Sequence, residues 1–308
     1  MTPALRVLLL PALACAALCQ APPAAAPPKP ALLWKVTAGD RSAYLFGSIH
    51  FGSQSLYPLP GAVEDAFAAA NVLIVEVDLN RLDLQKTAMA MLSRAMYAPD
   101  DSLWKHVSAA TRAKVERFCE QNGLPAEMAA RMRPWMLAMT ASALPYARLG
   151  LDPALGLDKH FLDRAGSRRV EQLESAEWQI ELFAGLPEAA QEKLLEAAVG
   201  SGEDTKAMAD ALVAAWSAGD AVRLDELTAK TSREPAEIGR RLRQDRHPHM
   251  ADAIEGCLKR GDRCFLVVGA AHLVGEGSVV GLLEKRGYQV EQVGAAAPQP
   301  MRPMRPVR

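Results

Sequence analysis

The stretch Cys264-Phe265-Leu266-Val267-Val268-Gly269-Ala270-Ala271-His272 decides the reading of the fold. Five apolar, β-prone residues run into a glycine, and a histidine follows three residues later. A short apolar run without polar alternation suits a strand buried on both faces of a sheet. Working outward, residues 277–286 have helical apolar spacing and stop at Gly287, and residues 288–293 read as a last strand. Strand, helix and strand with short links predict a parallel pair with a right-handed crossover. Near the other end, residues 32–37 and 42–49 flank Ala38-Gly39-Asp40-Arg41, which signals a hairpin. Residues 60–71 are expected to form a helix, with Val63, Ala66, Phe67 and Ala70 on its apolar face. Residues 72–77 read as a buried strand.

The middle, about 82–260, favours a period of 3.6 over alternation. Ser108, Pro125, Ser175, Pro187 and Thr205 look like helix starts, and Gly123, Gly166, Gly185, Gly219 and Gly261 like stops. Residues 158–165 read as a short helix and 170–173 as a short strand. The expected fold is therefore α/β. A central mixed sheet is built from N- and C-terminal strands, flanked by helices, with a large helical insertion.

Half of the 308 residues are hydrophobic and 23% are charged, a globular composition. Lys plus Arg number 35 against 36 Asp plus Glu, a net charge of -1. That balance argues against a nucleic-acid binder or an anionic-membrane binder working by bulk charge. No repeat period suggests a solenoid. Residues 1–20 have a basic start, an apolar run at 7–18 and small residues behind it, the pattern of a secretory signal peptide. The run is too short to span a bilayer, so the mature chain is expected to be periplasmic or secreted, with no transmembrane segment beyond the signal. Lipid anchoring through Cys15 or Cys19 ranks second, because Leu18 and Pro11 fit it poorly. Residues 21–30 read as a Pro/Ala-rich linker and 294–308 as a disordered Pro/Arg/Met tail. One domain, 31–293, remains.

Behind the signal lie Cys119, Cys257 and Cys264, an odd count for an exported protein. Cys257 and Cys264 could pair across the turn at 259–263, and Cys119 reads as a buried small hydrophobe. No Cys-x-x-Cys occurs, which excludes a zinc knuckle.

Three expected strands deliver ionisable groups at their C-terminal ends, where ligands bind in open α/β sheets. Residues 44–49 run into His50, residues 72–75 into Glu76 and Asp78, and residues 264–268 into His272. Both histidines stand in the frame Gly-x-x-His. A glutamate inside Leu73-Ile74-Val75-Glu76-Val77 needs a partner such as Arg133 or Arg246. Two imidazoles and a carboxylate can hold a divalent metal and leave positions open for water. Taken singly, each has a plain structural reading: a backbone-bonded histidine, a salt bridge, a cap. Together they read as a site. Other residues get the plain reading. Glu174 is expected to cap the helix after Ser175, and Trp135 to pack. His160 is expected to be solvated, and His247 and His249 to be exposed around Pro248. Met89, Met91, Met96, Met128, Met132, Met136 and Met139 are expected to form a Met-rich core.

Several segments together resemble a known family. They are Leu45-Phe46-Gly47-Ser48-Ile49-His50-Phe51-Gly52, Leu59-Pro60, Val75-Glu76-Val77-Asp78, Arg133-Pro134-Trp135 and Leu155-Gly156-Leu157-Asp158. Leu173-Glu174-Ser175 with Glu177 and Gln179 follows, then Val267-Val268-Gly269-Ala270-Ala271-His272-Leu273-Val274-Gly275. Their order and spacing over about residues 33–293 resemble the TraB/GumN family. That family is related to the Tiki metalloproteases and more remotely to erythromycin esterase and ChaN-like proteins. The resemblance implies a paired Gly-x-x-His site with acidic residues between two α/β halves. In the Tiki branch it implies metal-dependent proteolysis with manganese or cobalt; zinc or iron would also suit the donors.

Carried over by position, His50, Glu76 and His272 would bind the metal. Glu64, or an acid outside the first ligands, would take a proton from water, and Arg246 would stabilise an oxyanion. One departure is Arg246-His247-Pro248-His249-Met250, where the family often has Arg-Asn before a Met. The expected function is an exported metal-dependent hydrolase, a peptidase acting on a peptide or protein. The alternative is a non-catalytic protein that sequesters a peptide or heme in the same pocket.

Overall fold

The structure, a computed structural model, describes residues 31–200, 205–231 and 235–294. The expected signal peptide, the linker and all of the tail but Gly294 lie outside them. A six-stranded sheet has the order β4-β3-β5-β2-β1-β6. Its strands are β1 (Leu33–Ala38), β2 (Arg41–Ser48), β3 (Val72–Val75), β4 (Arg169–Gln172), β5 (Cys264–Gly269) and β6 (Gln289–Gln292). β1 and β2 form the expected antiparallel hairpin, turning at Gly39 with φ +62°, a conformation that favours glycine. β2, β5, β3 and β4 are mutually parallel.

The expected β5–β6 neighbour pair does not form. β6 instead pairs antiparallel with β1, so β2 and β1 lie between it and β5. β2 and β3 already occupy both edges of β5, whereas β1 has a free edge for β6 to complete. The middle of the chain also contributes β4, which covers the outer edge of β3. The insertion is therefore helical with one edge strand.

The helices are α1 (Gly61–Ala69), α2 (Leu84–Ala95), α3 (Ala109–Asn122), α4 (Ala126–Arg131), α5 (Pro134–Arg148), α6 (Leu157–Asp163) and α7 (Ala176–Ala184). They continue with α8 (Glu188–Val199), α9 (Thr205–Ser217), α10 (Ala221–Thr231), α11 (Ala236–Leu242), α12 (His247–Arg260) and α13 (Val279–Lys285). Ser108 and Ser175 accept the backbone N–H of Thr111 and Trp178 at helix starts, each worth about 1 kcal/mol. Gly123 and Gly261 close α3 and α12 with left-handed φ.

The main core lies on the sheet. Phe46, Phe67, Phe161 and Phe265 stack on or edge one another there, each such pair adding about 0.5–1.5 kcal/mol beyond area burial. Cys257 and Cys264 are disulfide-bonded, tying the last turn of α12 to the start of β5, and Cys119 is free and buried. The helical middle has smaller cores of its own, one around Leu103, Val115, Leu137 and Leu195, another around Ala95, Trp135 and Ile180. The expected Met-rich core is built in part: Met91, Met96, Met132 and Met136 pack against these cores, whereas Met89, Met128 and Met139 are exposed. Helical spacing marks a shared face but does not supply the element that covers it. Among the described residues no helix is long and apolar enough to cross a membrane. The disulfide fits an extracytoplasmic location.

Candidate functional site

Three parallel neighbours, β3, β5 and β2, end on one edge of the sheet. Ser48 of β2 stands opposite Gly269 of β5, and Val75 of β3 opposite Val267. β5 therefore outruns β3 by two residues, and the Gly269 amide projects past the ladder. Glu76, the residue after β3, takes it: its Oε1 accepts the Gly269 N–H at 2.7 Å. An added Cβ on Gly269 would lie 3.5 Å from Glu76 Oε1, 3.5 Å from His50 Nε2 and 3.6 Å from His272 Cδ2. The three groups expected from sequence thus surround one point above Gly269. The glycine of the first motif has a packing role, because a Cβ on Gly47 would meet Ala270 at 3.1 Å.

Arg246 sits at the centre of the cluster. Its Nε donates to Glu174 Oε1 at 2.6 Å, and its Nη2 to Glu174 Oε2 at 2.7 Å and Glu76 Oε2 at 2.6 Å. Its Nη1 donates to His272 Nε2 and to the Leu242 carbonyl, both at 3.2 Å. All five guanidinium hydrogens therefore have acceptors. Gln179 Nε2 donates to Glu174 at 2.9 Å.

The two histidines differ in charge. His50 Nδ1 lies 2.9 Å from Asp158 Oδ2, and Ser48 Oγ donates to the other oxygen of Asp158 at 3.1 Å. The Asp158 carboxylate raises the His50 pKa to about 9 against the opposing effect of desolvation, so the ring is an imidazolium at neutral pH. Its side chain is 59% exposed, so water screens the pair and it adds little net stability. His272 is 6% exposed. Desolvation first, then the nearby Arg246, outweigh Glu76 and lower its pKa to about 3, so it is neutral. Burial would raise the Glu76 pKa, but His272, His50, Arg246 and the Gly269 amide together lower it to about 2. With His272 neutral at neutral pH, the His50 imidazolium, Arg246 and the amide are the partners that stabilise this carboxylate there.

The structure thus brings together four of the residues expected from sequence, His50, Glu76, Arg246 and His272. It does not bring Glu64 to them. That carboxylate lies on α1, held by Arg164 at 2.6 and 3.1 Å. Arg246 also differs from the expectation, because none of its N–H groups is left over for an oxyanion. Glu174 does not cap α7, a task taken by Ser175, but clamps Arg246. His160 is half-buried rather than fully solvated, packed at a tilt against Tyr57. His247 is 3% exposed rather than exposed, with Nε2 3.0 Å from His272 Nδ1 and Nδ1 2.7 Å from the Gly277 carbonyl. His249 is exposed, as expected. Sequence reasoning also missed Asp158 and Gln179. Both lie in the quoted motif segments, which was the available signal. Beside His247, a cavity of about 790 Å³ is lined by Asp225, Glu237, Arg240, Arg243, Ala271 and Glu276, among others.

The donors suit a divalent ion in chemistry. Each histidine has its Nδ1 engaged, by Asp158 or His247, leaving Nε2 toward Glu76, the usual backing for a metal-binding imidazole. In the arrangement described, Arg246 rests on His272 Nε2. Among the described residues, no three His, Cys, Asp or Glu side chains are grouped to hold an ion. Loading would require Arg246 to leave that nitrogen and His50 to lose its proton.

Comparison with known proteins places the chain in a family. The TraB/PrgY/gumN family model matches residues 32–292, and the chain belongs to that family. Similar proteins include "Uncharacterized protein YbaP" of Shigella flexneri and of Escherichia coli (strain K12). Each is 30% identical over 152 residues, 49% of this chain and 54% of the relative. The match thus spans about half the length of these two curated relatives. An "Uncharacterized protein" of Treponema pallidum (strain Nichols) is 23% identical over 272 residues, covering 84% of this chain and 81% of its own. No solved structure matches the chain.

Proposed function

We propose that this protein is an exported hydrolase acting on a peptide or protein, with the strand-end cluster as its reaction centre. The observation that carries the reading is the convergence of His50 Nε2, Glu76 Oε1 and His272 above Gly269. Nothing in packing requires two histidines and a buried glutamate at one sheet edge, and titratable groups with opposed shifts in one place mark functional sites. Without an ion, His50 stands as an imidazolium able to give a proton to a leaving group, a role it gives up on ligating a metal, while His272 offers a lone pair beside it. Arg246 holds Glu76 and His272 in place, and Asp158 orients His50. Export is supported by the N-terminal sequence pattern and the disulfide.

A divalent metal is part of this proposal, with manganese or cobalt first and zinc or iron next. His50, Glu76 and His272 would hold it. Bound there, the ion would lower the pKa of a water and polarise a scissile carbonyl. A peptide suits the adjoining cavity, whose lining carries both acids and arginines. A heme would favour a more apolar lining. The full engagement of Arg246 favours a second reading, in which the pocket sequesters a peptide without turnover.

The test is elemental analysis of the mature protein beside a His50→Ala/His272→Ala double variant, followed by peptide-library cleavage. Near-stoichiometric metal that vanishes in the double variant, with cleavage by the wild type alone, is expected. Cleavage without metal would withdraw the metal and keep the hydrolase. Saturable binding of intact peptide without cleavage would replace the hydrolase with the sequestering protein.

A further inference from the structure

His247 begins α12 and is buried behind His272, with the two ring planes at 85° and their centroids 5.1 Å apart. Proton positions along this pair follow from its two ends. At one end, Arg246 Nη1 lies 3.2 Å from His272 Nε2. A guanidinium nitrogen donates and never accepts, so His272 Nε2 must present its lone pair. The one proton of that ring is then on Nδ1, which donates to His247 Nε2 at 3.0 Å. His247 Nε2 is therefore an acceptor, and its own proton sits on Nδ1. At the other end, His247 Nδ1 lies 2.7 Å from the Gly277 carbonyl oxygen, which accepts and never donates.

The donor-only end and the acceptor-only end demand the same arrangement. Moving either proton to the other nitrogen would set two donors against each other at Arg246 or leave two lone pairs facing at Gly277. The carbonyl itself is held in a turn between Gly275 (φ +81°) and Gly277 (φ +72°), backbone conformations that favour glycine. A Cβ on Gly275 would stand 2.2 Å from Asp225 Oδ1.

We propose that His247 is a positioning residue: anchored by the Gly277 carbonyl, it holds His272 as the Nδ1–H tautomer, so that the Nε2 lone pair faces Glu76 and Arg246. Its bearing on catalysis rests on the hydrolase reading above; its geometry does not. His247 touches no reacting atom. It acts through His272, as partners behind an active imidazole do in general.

The test reads protons directly. Two-bond 1H–15N correlation spectra of histidine-labelled protein report which ring nitrogen carries the proton, with His247→Gln and His272→Ala assigning the signals. Nδ1–H on both His247 and His272 is expected in the wild type. His247→Gln, whose amide oxygen accepts and whose NH2 donates, should keep His272 in that tautomer. His247→Phe leaves the Nδ1 proton of His272 without an acceptor and Arg246 alone to select the tautomer, so a measurable Nε2–H population should appear and kcat fall by about 10–100-fold with KM little changed, and the glutamine variant should recover most of that loss. A wild-type His272 protonated on Nε2 overturns the proposal. So does a folded His247→Phe protein with a single Nδ1–H tautomer and full kcat. If the phenylalanine variant does not fold, the wild-type and glutamine spectra decide alone. A protein that cleaves nothing but shows the expected spectra would sink the hydrolase and leave the tautomer assignment standing.

Discussion

The two Gly-x-x-His ends of the sheet share a motif and oppose each other in exposure and charge. His50, past the end of β2, is largely open to water and faces the carboxylate of Asp158, which keeps it charged. His272, past the end of β5, is buried between Arg246 and another imidazole, which keeps it neutral. The motif sets where the backbone puts a histidine. The partner, supplied by α6 in one case and by the start of α12 in the other, sets what the histidine can do. A site with one charged and one neutral imidazole beside a carboxylate is differentiated before any ligand arrives.

The comparison breaks most severely at the buried end. His272→Ala is expected to lower turnover by on the order of 10²–10⁴-fold and leave the far-ultraviolet circular dichroism unchanged. Peptide cleavage measures it, and an active, folded variant would remove His272 from the chemistry. Arg246→Met leaves Glu76 and Glu174 buried without their cation, and should cost about 3–5 kcal/mol in urea denaturation. A loss under about 1 kcal/mol would mean that water already reaches these carboxylates.

At the open end, Asp158→Asn should bring the His50 pKa down from about 9 toward its ordinary 6.5, read by NMR titration. The two ends also predict pH limits of opposite sign. The raised pKa of His50 gives stability that is complete below about pH 6.5 and lost as pH rises through about 9. The lowered pKa of His272 gives stability present above about 6.5 and lost as pH falls toward about 3. Thermal melts across pH should therefore show Asp158→Asn losing the alkaline limb and keeping the acid limb. Loss of both limbs would mean that the two histidines titrate as one unit.

A metal would sharpen the contrast, because only His50 has a proton to surrender. Manganese affinity, followed by calorimetry, is expected to tighten as pH rises toward about 9; an affinity independent of pH would place any bound ion elsewhere. The smallest effect is expected at Glu64, away from both ends. Glu64→Gln breaks a partly exposed pair with Arg164 and should change stability by no more than about 1 kcal/mol, with turnover unaltered. A large loss of turnover there would restore Glu64 as a proton acceptor.

Much of this was legible in the residues. The hairpin, the buried strand ahead of Glu76 and the apolar run ahead of Gly269 are local signals, and all three appear where expected. Pairing of β6 was not legible, because residues 289–292 can complete any free edge and only the assembled sheet shows that β1 has one. Glu174 and His247 were misread for a similar reason. A glutamate before a helix and a histidine beside a proline look like surface residues until the chain folds Arg246 against the first and His272 against the second.

The sequence alone determined which strands end on ionisable groups, because hydrophobic runs and the glycines that end them act over a few residues. It determined the family too, because the motifs keep their order along the chain. Only the tertiary structure decided the charged state of His50 and the neutral state of His272. Those depend on a partner within about 3 Å, and hydrogen bonds act at that range alone. The partners lie far off in the chain, with 108 positions separating His50 from Asp158 and 72 separating Arg246 from Glu174. No local pattern encodes contacts of that span; folding the helical middle back onto the sheet makes them.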